Sequence, residues 1–137
     1  MLTIRQLLRS TFPVAKRNSA WVEFVNLRRG KNRAGQPKYL TNAYTNARAP
    51  GQKNKPPARH QCSVVALDKK KGWNGYVLVS CSCEYFTYTC EYALHAHGAA
   101  NIVYSNGEPP EDKNPRLTPS LCKHLYALLS GIQSGQY

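Results

Sequence analysis

Two doublets of metal-ligand type stand out in this chain, Cys81-Ser82-Cys83 and Cys122-Lys123-His124. Three thiols and one imidazole make a complete tetrahedral donor set for Zn²⁺, which prefers thiolate sulfur and imidazole nitrogen. A Cys-x-Cys pair can aim both sulfurs at one ion only if the chain turns between them. A Cys-x-His pair in the first turn of a helix gains from free amide N–H groups and from the positive end of the helix dipole, which favour thiolate. A single ion held by Cys81, Cys83, Cys122 and His124 would tie two distant segments together. It would thereby stabilise a domain whose core is modest. Ordinary buried thiols are the bland alternative, and the recurrence of the doublet weighs against them. Cys90, within a helical pattern beyond Cys83, reads first as a core residue. It could also replace His124 in a four-sulfur set, which would admit an iron–sulfur cluster. Cys62 reads as a small hydrophobe. His95 and His97 point about 200° apart on a helix and make a poor joint ligand pair. His60 borders a basic segment and is expected to be exposed.

The remaining chemistry is sparse. No Ser-His-Asp or Cys-His-Asp set and no glycine-rich phosphate loop is evident, and a closed Cys₃His set leaves no position for a catalytic water. A non-enzymatic protein is therefore expected. Glu84 and Glu91 read as solvated or paired with basic neighbours. The 137 residues fit one ordinary domain or a small domain with an extension. The formal charge of +12 is unevenly placed: residues 1–60 carry 13 Lys or Arg and one acid, Glu23, whereas residues 61–137 carry six of each sign. The first half should be drawn to an anionic partner. Five cysteines cannot all pair, no secretory signal is visible, and no run approaches the roughly 18 apolar residues of a membrane span. A reducing cytosolic setting without a membrane partner is expected, where thiols favour metal over disulfides.

Several elements must position the doublets. Residues 2–10 predict a short helix capped by Thr3, which the Phe12-Pro13 step ends. Residues 20–27 predict a strand or docking segment around Trp21 and Phe24. Arg28 to Arg59 hold nine basic residues, no acids and four prolines. Without apolar periodicity this stretch predicts an arm or long loop anchored by Tyr39, Leu40 and Tyr44. Residues 61–81 predict an antiparallel hairpin, with Asp68 to Gly72 as its turn. A helix is expected over Glu84 to Gly98, with Gly98 at its C′ position. Ile102 to Tyr104 is a short strand candidate. The last helix is expected to start after Thr118 or Ser120 with Pro119 as its first residue, and Leu121, Leu125, Leu128, Leu129 and Ile132 form its apolar face. The fold class expected is α+β: a small β-hairpin plus helices around the metal site, with a long irregular basic N-terminal extension. The expected division is 1–60, helix and arm, and 61–137, metal-binding domain.

The order Cys-x-Cys…Cys-x-His resembles the SWIM zinc finger. That resemblance implies a β-hairpin followed by a helix around one zinc, with Cys81, Cys83, Cys122 and His124 as ligands. The family spacer is usually shorter than the 38 residues between Cys83 and Cys122 here. Over residues 59–130 the chain is similar to structural proteins of tailed bacteriophages. The likeness rests on Ser80-Cys-Ser-Cys-Glu-Tyr-Phe, Glu91-Tyr-Ala-Leu, Tyr104-Ser-Asn-Gly-Glu-Pro-Pro and Leu121-Cys-Lys-His-Leu. It implies a virion subunit of head, neck or baseplate, assembled in the host cytoplasm with other virion proteins in a symmetric array. The alternative expectation is a nucleic-acid-binding zinc-finger protein. In it the basic residues of 28–59 neutralise phosphates and Tyr39 and Tyr44 stack on bases.

Overall fold

The computed structural model describes residues 1–52 and 57–137. Its centre is a four-stranded antiparallel sheet in the order β1-β2-β3-β4, made of β1 (Val22–Lys31), β2 (Pro37–Thr45), β3 (His60–Ala66) and β4 (Val77–Cys81). Side chains alternate across it: Tyr39, Thr41, Ala43, Cys62, Val64, Ala66, Val77, Val79 and Cys81 are buried, while their neighbours in β2–β4 are half-buried or exposed. Among the described residues four α-helices complete the fold: α1 (Ile4–Ser10), α2 (Pro13–Asn18), α3 (Glu91–Ala96) and α4 (Lys123–Gln133). The last of these packs against β1, β3 and β4 and against α1 and α2. Its residues Leu125, Leu128 and Leu129 are fully buried, as are Leu7 of α1 and Leu94 of α3. Each such side chain contributes about 1.5–3 kcal/mol through burial, so this one shared core, drawn from both halves of the chain, supplies much of the stability.

The α+β class and the hairpin β3–β4 are as the sequence predicts, with Cys62 opposite Cys81 and Val64 opposite Val79. The long irregular basic extension is not. Residues 22–31 and 37–45 form a second hairpin, and β2 continues the sheet by pairing with β3 from Lys38↔Val65 to Ala43↔His60. The apparent lack of periodicity has a physical source. The inward positions of β2 are Tyr39, Thr41 and Ala43, two of them too small to register as an apolar stripe. In β1 a bulge, with Asn26 at φ 56° between Val25 and Arg28, breaks the alternation midway. Strand stability here comes from neighbouring strands rather than from the segment's own apolar content. Residues 46–52 and 57–59 connect β2 to β3 without regular structure. The rest of the expected arm, 53–56, lies outside the described residues.

The N-terminus is bound into the body. Thr3 closes a capping box with Gln6, and Pro13 opens α2 rather than merely ending α1. Thr11, at the corner between the two helices, donates to the Leu7 carbonyl at 2.7 Å and accepts the Leu121 amide at 3.0 Å. The Phe12 amide donates to Ser120 Oγ at 3.0 Å. This corner therefore fixes the residues immediately before Cys122. On the other side, a helix runs from Glu84 through a π-helical turn, Phe86–Cys90, into α3, and Gly98 ends it at φ 74°.

Candidate metal centre

The predicted ligands meet at one end of the sheet. Cys81 is the last residue of β4, and Ser82 fixes the turn after it. The Ser82 amide donates to the Gln61 carbonyl at 3.1 Å, and its hydroxyl accepts the Gln61 amide at 2.9 Å. Cys83 then stands just before the helix that starts at Glu84, and its sulfur accepts the Phe86 amide at 3.4 Å. Cys122 is the N-cap of α4 and its sulfur accepts the Leu125 amide at 3.4 Å. The helix thus starts later than expected, at Lys123. The consequence favours the site, because both Cys83 and Cys122 turn their sulfur onto free N–H groups at a helix start. His124 is the second residue of α4, with Nδ1 placed 3.9 Å from Cys81 Sγ.

The donor atoms of Cys81, Cys83, Cys122 and His124 all lie within 4.8 Å of one another, and all four residues are buried. Donors around tetrahedral Zn²⁺ sit about 3.8 Å apart for sulfur, given a Zn–S bond near 2.3 Å. A small inward movement therefore closes the set. The protonation pattern points the same way. Cys81 is held well below the usual thiol range by hydrogen bonds from Cys122, Cys62 and Cys83. Burial and the neighbouring Cys81 push Cys122 up. Cys83 is relieved by Cys122, yet Cys81 and burial outweigh that and push it up to about 12. The bare cluster thus favours one thiolate surrounded by thiols, because three negative sulfurs in a buried space repel one another. A divalent cation removes that limit, and three thiolates and one neutral imidazole suit Zn²⁺. When bound, the ion would serve as a staple between the end of β4 and the start of α4. Its binding releases protons, so its affinity falls as pH falls.

Two neighbours of the cluster were not legible as such. Cys62, opposite Cys81 in the sheet, has its sulfur 3.3 Å from Cys81 Sγ, so it is a partner of a ligand as well as a packing residue. Hydrogen bonding to Cys81, then burial, pushes its thiol up. His60, expected exposed, is half-buried, with its ring centroid 5.0 Å from that of His124. Burial and the nearby His124 push its pKa down. Both residues open β3, and only the strand register, which pairs Cys62 with Cys81, could have signalled their place. Beside the cluster lies a cavity of about 240 Å³, bordered by Asn18, His60, Tyr85 and Lys123 together with Cys83, Cys122 and His124. It offers a route by which an ion reaches the ligands.

Cys90 is not among the converging donors. It is fully buried in the π-helical turn, and burial pushes its thiol up, as for a packing residue. The four-sulfur, iron–sulfur alternative accordingly loses its fourth ligand. His95 and His97 are exposed and each faces a backbone carbonyl, Ala100 and Leu117. Metal analysis of the purified chain is expected to find about one zinc per molecule. Cys90→Ala should leave that ratio unchanged and Cys83→Ala should abolish it. Iron with visible charge-transfer absorbance would refute the assignment.

No helix among the described residues is long and apolar enough to cross a membrane. Compared with protein-family models, with curated proteins and with solved structures, the chain matches none of them. Its chemistry is that of a small α+β protein with a zinc-finger-like Cys₃His cluster.

Proposed function

We propose that this protein is a non-enzymatic structural subunit whose metal holds its own fold together so that its surfaces can engage neighbouring proteins. One observation carries the reading: all four donors of the buried cluster come from the chain itself. A closed protein set is the signature of structural zinc, whereas catalytic zinc keeps a position for water. The finer placement, in the head, neck or baseplate of a tailed-phage particle, rests on the sequence likeness over residues 59–130. Large aromatic side chains left exposed, Tyr88 at 64% and Tyr104 at 42%, support a role in assembly. Quantitative mass spectrometry of gradient-purified particles from cells producing the chain tests the placement. The chain is expected at a fixed ratio to the other virion proteins. Its absence from particles, with abundant free protein in the lysate, would overturn the virion reading and leave the metal assignment untouched.

A further inference from the structure

The end of the sheet opposite the metal carries a different chemistry. There the β1–β2 turn, residues 32–36, lies beside the long β3–β4 connection, residues 67–76. Gln36 Nε2 donates to the Leu67 carbonyl at 2.9 Å. The Lys69 side chain lies across Gly35, where an added Cβ would stand 3.4 Å from Lys69 Nζ. This juxtaposition gathers cations that are far apart in the chain: Arg28, Arg29, Lys31, Arg33 and Lys38 from the first hairpin, Lys69, Lys70 and Lys71 from the second. All are exposed except Lys38, which is half-buried. The one acid among them, Asp68, is occupied in accepting the Lys70 and Lys71 amides, at 2.8 and 3.3 Å, and so shapes the turn. Arg28, Arg29, Gly30, Lys38 and Leu40 line a shallow hollow of about 230 Å³. The Arg29 guanidinium rests 6.0 Å from the Tyr39 ring, which is itself buried, so this cation is positioned from below.

We infer that this basic end of the sheet binds the phosphodiester backbone of nucleic acid, without reading its sequence. The surface is separate from the Cys₃His cluster and from the virion reading, and neither is needed for it. Two features favour phosphate over an acidic protein. Cations two residues apart in a strand, such as Arg29 and Lys31, stand about 6.7 Å apart. Across the first hairpin Lys38 stands opposite Gly30 and diagonal to Arg28, on the same face of the sheet. This gives a dense array in which guanidinium groups can grip phosphate oxygens in pairs. A protein partner also needs an apolar centre to dock on. Among the described residues the only large exposed hydrophobic side chain in the two connecting turns is Tyr76. Lys69 to Lys71, which the sequence suggested merely keep a hairpin tip in water, become three of the eight cations of the surface.

The test is fluorescence anisotropy of the zinc-loaded full chain with a short labelled duplex over a range of salt concentrations. Binding should weaken steeply with salt. Neutralising Lys69, Lys70 and Lys71 together to Gln should lower the log–log salt slope by about 2–3 and the affinity at low salt by tenfold or more. Arg28→Gln with Arg29→Gln should lower the slope by about 1–2. The matched control is Arg9→Gln, Arg17→Gln and Arg116→Gln, which removes three exposed charges elsewhere and should change the affinity less than about threefold. Circular dichroism confirms that each variant is folded. Absence of binding at low salt would overturn the proposal. So would an equal loss in the control, which would reduce the effect to net charge. Competition by polyglutamate as effective as by unlabelled DNA would also overturn it and assign the surface to acidic proteins.

Discussion

Removal of the metal, by a strong chelator or by Cys122→Ala, is expected to lower the melting temperature by at least about 15 °C and to loosen the N-terminal turn of α4 from the end of the sheet. Structural zinc contributes about 10–16 kcal/mol of apparent binding energy in small domains, as much as the whole net stability of a typical fold. Here the loss reaches beyond the ion. Without it, Cys81, Cys83 and Cys122 cannot all be ionised in their buried space, and Cys122→Ala also removes the sulfur that caps the Leu125 amide at the start of α4. The leucines of α4 would keep part of the helix docked, since Leu125, Leu128 and Leu129 bury fully. The apo chain is thus expected as a partly helical, loosened state rather than a random coil. Far-UV circular dichroism and melting curves measured with verified metal content decide it. Identical curves with and without zinc would show that the core suffices and that the staple reading is wrong.

The second large effect is expected at Glu91, a fully buried acid whose partners are backbone amides. Its carboxylate accepts the amides of Val103, Tyr104 and Ser105 at 2.8–3.3 Å. This explains why Ile102 to Tyr104 is not a strand: its N–H groups converge on one side chain instead of on a neighbouring strand. Glu91→Ala leaves three donors without their acceptor. Each hydrogen bond to a charged group is worth about 1.5–3 kcal/mol, and water can replace part of that on a loop where Val103 is 59% exposed. A net loss of about 3 kcal/mol is expected, read as a lower urea midpoint, with fast hydrogen exchange at those three amides. Glu91→Gln, which keeps acceptor oxygen at the site, should lose less. If the alanine variant unfolds at the same urea concentration as the parent, the carboxylate is not what holds the loop.

The metal site was legible because its signal lies in residue type and spacing: Cys81, Cys83, Cys122 and His124 are named by chemistry before any fold is known. The Thr3 cap, the β3–β4 hairpin and the apolar face of α4 were legible for a similar reason, each being written within one short segment. What stayed hidden depends on partners distant in sequence. Tyr39, Thr41 and Ala43 form a buried strip only because β3 lies alongside. Glu91 looks like a solvated helix acid until three amides from the next loop are brought to it. Asn114, nearly fully buried, donates to the Thr89 and Thr118 carbonyls and accepts the Thr118 amide, which pins a segment that reads as irregular. Charge misled most, since nine cations within 32 residues read as an arm, although four of them, Arg28, Arg29, Lys31 and Lys38, stand on β1 and β2.

The bond between Thr11 and the Leu121 amide spans 110 residues. During synthesis the first helices are made long before the segment they clasp, and the Cys81–Cys83 pair emerges well before Cys122. The nascent chain can form its sheet early, yet the corner at Thr11 and two of the four donors, Cys122 and His124, must wait for α4. Closure is therefore a late event with a large loop to draw in, which slows folding. Until it occurs, Leu7 and the inner face of the sheet are uncovered and available to chaperones.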